Sequence, residues 1–92
     1  MRRLEVIANQ SIQVDLIEGL TAVVPHLQYT LISPVQGAGL HKKKEGTTVW
    51  PEINFILVSY MEDEHIGLAR ASLQRLKERF PEEGIAFFDL GG

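Results

Sequence analysis

The run from residue 53 to residue 60 alternates like a β-strand and is apolar on both of its faces. One face carries Ile53, Phe55 and Leu57, and the other carries Ile56, Val58 and Tyr60. A shorter run over residues 85–90 repeats the pattern. Because an apolar surface of this size is not left in water, we expect both faces of these strands to be covered.

The spacing of apolar residues predicts six elements in the order strand, helix, strand, strand, helix, strand. The predicted segments cover residues 4–8, 12–24, 26–35, 47–60, 62–80 and 85–90. Ser11 is expected to cap the first helix, and Pro25 and Pro81 to end the two helices. Gly19 inside the first helix indicates close approach of a neighbouring element. Pro34 predicts that the strand frays or bulges nearby, because proline cannot donate to a strand ladder.

This order predicts an α+β, ferredoxin-like βαββαβ fold in which a four-stranded antiparallel sheet carries two helices on one face. Two helices cover one face only, whereas at least two strands are apolar on both. The simplest way to cover the second face is assembly of several copies through the sheet, and a closed cyclic assembly does this symmetrically.

Composition limits the possible functions. The 92 residues suit a single domain spanning 1–92, with 45% hydrophobic and 23% charged residues. The apolar runs are too short to cross a bilayer, and the first residues do not resemble a signal peptide, so we expect a cytoplasmic protein that is not membrane-inserted. The absence of cysteine excludes disulfides and thiolate metal sites. The net charge of −3 argues against nucleic acid as a partner.

A glycine-rich and basic loop lies between the two central strands. It runs from residue 37 to residue 46 as Gly-Ala-Gly-Leu-His-Lys-Lys-Lys-Glu-Gly. Gly37 and Gly39 would let a ligand approach main-chain N–H groups, or they simply allow the backbone of a hairpin loop. The lysines would hold an anionic ligand or an acidic partner, or they are a solvated charge run. His41 is the one candidate metal ligand in the loop.

At this point the chain resembles a known family, the PII nitrogen-regulatory signal transducers and their PII-like relatives. The resemblance covers the whole element order and is densest from Ser33 to Asp63. There Pro-Val-Gln-Gly-Ala-Gly-Leu-His-Lys leads into the loop, and Pro-Glu-Ile-Asn-Phe-Ile-Leu-Val leads towards an acidic helix start. The resemblance implies a homo-trimer with inward-facing sheets, a small effector bound at the base of the 37–50 loop, and docking of the loop onto a target protein or membrane transporter.

The family pattern assigns roles to particular loop residues. Gly37, Gly39 and Lys42 match the residues with which the family binds adenine nucleotides and 2-oxoglutarate, whereas His41 stands where the family has glutamine. We predict Gly37, Gly39, His41 and Lys42 as the effector-binding residues, with an adenine nucleotide or a divalent metal as a possible ligand. The implied partner-binding residues are Lys43, Lys44, Glu45 and Trp50. The chain is a divergent member of the pattern with shortened loops: no tyrosine lies between Gly39 and Trp50, and the turn of residues 81–84, Pro-Glu-Glu-Gly, is acidic where the family has lysine.

The serines have no nucleophile-elbow context, and the acidic clusters at residues 62–64 and 82–83 are explained by a helix dipole and a turn. We therefore predict a regulatory, signal-transducing protein without enzyme activity. The alternative is a metal-binding or metal-tolerance protein on the same trimeric scaffold, for which His41 would be the metal ligand.

Overall fold

The computed structural model describes residues 1–37 and 52–91. These residues form four strands, two α-helices and one 3-10 turn. In chain order they are β1 (Arg2–Asn9), the 3-10 turn (Gln10–Ile12), α1 (Gln13–Val23), β2 (Thr30–Gly37), β3 (Glu52–Met61), α2 (Asp63–Arg79) and β4 (Ile85–Gly91). The strands form one sheet in the order β2-β3-β1-β4 with antiparallel neighbours. The predicted ferredoxin-like fold is confirmed.

Both helices cover the same face of the sheet. Leu4, Val6 and Ala8 alternate along β1 with half-buried residues and lie opposite Ser59, Leu57 and Phe55 of β3. These side chains join one buried cluster with residues of both helices, among them Leu16, Leu20, Ala69 and Leu73. The period-two pattern of β1 and the helical spacing of the two stripes therefore meet in one core. Neither helix of the described residues is long and apolar enough to span a membrane.

The two helices approach each other closely at Gly19, as the sequence predicts. A Cβ atom at this position would lie 3.0 Å from the Oγ atom of Ser72 on α2. Ser72 is itself buried, at 8% exposure. A small residue on each helix therefore allows this approach, and a side chain at Gly19 would be crowded by Ser72 rather than strained by the backbone conformation.

Two boundary predictions are wrong. Ser11 does not cap α1, because it lies in the 3-10 turn and donates its backbone N–H to the Oδ1 atom of Asn9 at 2.9 Å. The strand predicted from residue 26 begins at Thr30, because His26 adopts a left-handed conformation with φ of 52° in the turn after Pro25. Asn9 therefore caps the 3-10 turn, whereas Ile12, the N-cap residue of α1, makes no side-chain cap.

The bulge predicted at Pro34 is confirmed. The pairing of β2 with β3 shifts register between Ile32 and Val35, and the Ser33–Pro34 peptide bond is cis. Proline has no N–H group to donate, so the regular ladder is interrupted at this position.

The second face of the sheet, which we call the free sheet face, is largely apolar. Its apolar side chains are Ile7, Ile32, Val35, Ile56, Val58, Tyr60, Ala86, Phe88 and Leu90. Tyr60 is 57% exposed, Phe88 49% and Ile32 48%. Within the described residues, both helices pack on the opposite side. The apolar second face predicted from the alternation of β3 and β4 is therefore present, and it faces outward in a single copy.

The packing at Gly19 makes a testable prediction about stability. Replacing a helical glycine by alanine usually stabilises by about 1 kcal/mol. We expect this full gain for Gly67→Ala, because a Cβ atom at Gly67 meets nothing within 4 Å. Gly19→Ala should give a clearly smaller gain, since the new methyl group meets Ser72, and should recover the full gain in a Ser72→Ala background. Urea unfolding of the four variants measures these differences, and equal gains at Gly19 and Gly67 would contradict the packing.

Candidate functional site

Gly37 is the one predicted effector-binding residue that lies within the described residues. It is the last residue of β2 and pairs with Glu52, the first residue of β3, so it stands at the point where the chain leaves the sheet between these two strands. The other predicted site residues, Gly39, His41, Lys42, Lys43, Lys44, Glu45 and Trp50, lie outside the described residues.

A groove with a volume of about 630 Å³ opens beside Gly37. Its polar lining comes from Gly37, Asn54, Lys77, Glu83 and Gly84. Its apolar lining comes from Ile7, Ala8, Val35, Ile56, Ile85, Ala86 and Phe88, and Gln36 also borders the groove. The volume falls within the range of about 300–1,000 Å³ that is common for small-molecule sites. An apolar wall with a few polar groups is also typical of such sites.

The topology brings these residues together from distant parts of the chain. The pairing of Ala8 with Ile85 places the start of β4 at the same end of the sheet as the pairing of Asn9 with Asn54. The turn before β4 is closed by the backbone N–H of Glu83, which donates to the carbonyl of Phe80 at 3.0 Å. The end of β2, the start of β3 and the α2–β4 turn therefore lie at the same end of the sheet.

The groove carries charges of both signs. The ammonium of Lys77 lies 5.6 Å from the centre of the Phe87 ring, a distance at which a cation is attracted to an aromatic face. Glu83 is half-buried in the turn. A ligand with an anionic group would thus be attracted by Lys77 and repelled by Glu83, and the balance depends on which group it approaches more closely.

Asn54 and Lys77 were not predicted as site residues. Asn54 is a polar residue in a run that is otherwise apolar on both faces, and it is buried, at 9% exposure. Its position in such a strand was an available signal. Lys77 gave no such signal, because a lysine on the polar face of a helix is ordinary.

The side chain of Asn54 leaves no room for a side chain at Gly37. A Cβ atom at Gly37 would lie only 2.8 Å from the Nδ2 atom of Asn54, closer than real Cβ atoms approach a heavy atom. The glycine predicted as part of a ligand site is therefore also required by the packing of a groove-lining amide.

A second, smaller recess on the other side of the molecule includes His26, His65 and Glu62. Within residues 1–37 and 52–91, no three or more histidine, aspartate or glutamate side chains are grouped closely enough to hold a metal ion. The metal alternative therefore depends on His41, which is not among these residues.

Comparison with solved structures gives the fold a name. A PII-like signalling protein of Thermus thermophilus superposes with a TM-score of 0.63 at 22% identity, covering 96% of this chain and 82% of its own. CPII, a nitrogen regulatory PII-like protein of Thiomonas intermedia bound to ADP, AMP and bicarbonate, superposes with a TM-score of 0.67 at 15% identity, covering 99% of this chain and 90% of its own. The chain has the fold of the PII-like proteins.

Likeness at this level of identity shows the fold alone. A de novo designed protein, Foldit4, also superposes, with a TM-score of 0.57 at 11% identity, covering 99% of this chain and 97% of its own. No protein-family model matches the chain, and no curated protein is similar to it in sequence. A role for this PII-like fold must therefore be argued from the groove and the free sheet face.

The contact between Gly37 and Asn54 is testable by substitution. Gly37→Ala should displace the Asn54 side chain and destabilise the fold by about 1 kcal/mol, the lower end of the cost of overpacking. The side-chain amide resonance of Asn54 in a nitrogen–proton correlation spectrum should shift. Gly91→Ala is the matched control, since it is also a strand glycine and a Cβ atom there meets nothing within 4 Å. An unchanged Asn54 resonance in Gly37→Ala would contradict the contact.

Proposed function

We propose that the chain is a PII-like regulatory protein that binds a small effector beside Gly37 and acts on a target protein through the 37–50 loop. The observation that carries this proposal is the groove at the end of β2, the point at which a PII-like fold passes into its long connecting loop. The proposed role is binding rather than catalysis, in the cytoplasm.

We further propose that three copies assemble through their free sheet faces. Several residues that line the groove also belong to this face, among them Ile7, Ile56 and Phe88. A neighbouring copy on the face would thus border the groove and complete its open side. Effector binding and assembly would then be coupled, because a ligand that contacts two copies favours the assembled state.

An adenine nucleotide is the effector class that we propose to test first. CPII is bound to ADP and AMP, and the groove beside Gly37 offers an apolar wall and one cation, Lys77. We propose that Gly39, His41 and Lys42 add to the site from the loop base. The acidic turn at Glu83 would weaken the binding of phosphate groups. We therefore expect nucleotides with fewer phosphate groups to bind more tightly than nucleotides with more.

The proposed mechanism is a shift between loop conformations. An effector that contacts both the groove and the loop base binds one loop conformation more tightly than others, and so raises the population of that conformation. Lys43, Lys44, Glu45 and Trp50 would then contact the target. The largest possible effect on the target is set by the difference in effector affinity between the conformations.

The two charges of the groove give opposite predictions for nucleotide binding. Lys77→Gln should weaken ADP binding about tenfold, the loss expected for one charge-assisted contact. Glu83→Gln should strengthen it, because a carboxylate no longer faces the phosphates. Isothermal titration calorimetry measures both. Arg75→Gln is the matched control, since it removes one positive charge from the same helix but lies on the groove between α1 and α2.

The same titrations should include ATP, AMP, 2-oxoglutarate, bicarbonate and zinc. If none of these ligands binds, the proposal that the chain binds a small effector is contradicted. Zinc binding that is lost in His41→Ala would instead favour the metal-binding alternative.

A further inference from the structure

Among the described side chains of the free sheet face, one cation and one carboxylate stand next to each other between apolar neighbours. Arg3 projects between Tyr60 on β3 and Leu90 on β4, and Glu5 projects two residues further along β1. Glu5 lies between Val58 and Phe88. The two charges therefore occupy adjacent rows on the central strand of a face that otherwise resembles half of a core.

The contacts within one copy leave this pair incompletely bonded. The Nη2 atom of Arg3 lies 3.3 Å from the Oε2 atom of Glu5, and its Nη1 atom donates to the Tyr60 hydroxyl at 3.3 Å. Both distances are long for charge-assisted hydrogen bonds, which are usually about 2.7–2.9 Å. The Nε atom of Arg3 is buried and has no hydrogen-bond partner among the residues that the structure describes.

An ion pair with unfilled hydrogen-bonding positions is stable only while water hydrates it. The side chain of Arg3 is 40% exposed and that of Glu5 is 27% exposed, so solvent hydrates their outer atoms in a single copy. Covering the face would remove this water. The guanidinium has five N–H donors and the carboxylate several acceptor positions, and a covered pair needs new partners for those that are left open.

We propose that the free sheet face is an interface between copies of this chain in which Arg3 of one copy bonds Glu5 of the next. The assembly itself rests on the proposed function, and the exchanged ion pair is an addition to it. Assembly from identical copies requires that one chain supplies both partners of every polar contact. The face meets this requirement, because Arg3 and Glu5 supply a charge of each sign.

Charge complementarity also favours a second copy over other occupants. A nucleic acid or an anionic membrane is recognised by an excess of positive charge. Among the side chains of this face that the structure describes, Arg3 is paired with Glu5, no excess of positive charge is present, and the remainder is mostly apolar. A copy placed in the wrong register would bring Arg3 against Arg3, and like charges in an interface are strongly unfavourable. The pair would therefore fix the register of the assembly.

Charge reversal in separate variants tests the exchange. Arg3→Glu and Glu5→Arg should each raise the dissociation constant of the assembly at least tenfold, because every interface between identical variants then pairs like charges. Mixing the two variants should restore assembly. In a trimer that contains both variants, two of the three interfaces pair opposite charges at positions 3 and 5, and only one interface pairs like charges. Native mass spectrometry of the mixture counts the mixed species, and sedimentation equilibrium gives the dissociation constants.

Controls separate assembly from folding. Arg75→Glu, a charge reversal on the helical side of the sheet, should assemble like wild type, and circular dichroism should show that each variant is folded. If a charge reversal unfolds the chain, Arg3→Gln and Glu5→Gln replace it, and each should weaken assembly about tenfold.

The outcomes distinguish the two proposals. Single variants that assemble like wild type, or a mixture with no preference for mixed species, would overturn the exchanged pair and leave the trimer standing. A wild-type chain that stays monomeric would overturn both the trimer and the exchanged pair.

Discussion

The structure depends on one imbalance: a sheet of four strands is apolar on two faces, and two helices cover only one of them. On the covered face, the side chains of β1 and β3 form a continuous core with both helices. On the other face, Ile32, Tyr60 and Phe88 remain about half exposed. An apolar surface of this kind favours association, because hydrophobic stabilisation scales with the apolar area removed from water. The groove beside Gly37 opens partly onto the same face, which is why assembly and effector binding are linked in this account.

Much of the fold could be predicted from the sequence because it follows from periodicity. The alternation of β1 and the three-and-four spacing of the helices depend on which residues are apolar, and that pattern is visible in one chain. The element order then leaves few topologies. The boundaries were less predictable. Several residue types can cap a helix, and the sequence predicted Ser11 as a cap, whereas in the structure the side chain of Asn9 accepts the backbone N–H of Ser11.

The periodicity of apolar residues did not predict which polar residues are buried. Ser59 is 1% exposed and donates to the carbonyl of Gln28 at 2.6 Å, and Ser72 is buried against Gly19. A periodicity argument places serine towards solvent, whereas these serines are inside because they are small or find a backbone acceptor. Of the residues that line the groove, Gly37 is the one that was also predicted as a site residue. Lys77 and Glu83 reach the groove through the pairing of β4 with β1, and that pairing is a tertiary contact which no local pattern specifies.

The central claim is that the free sheet face is covered by further copies of the chain. Sedimentation equilibrium of the wild-type chain across the micromolar range tests it most directly. We predict a single species with three times the mass of the chain. A species with the mass of one chain throughout that range would contradict the account, because the apolar face would then be stable in water without a partner.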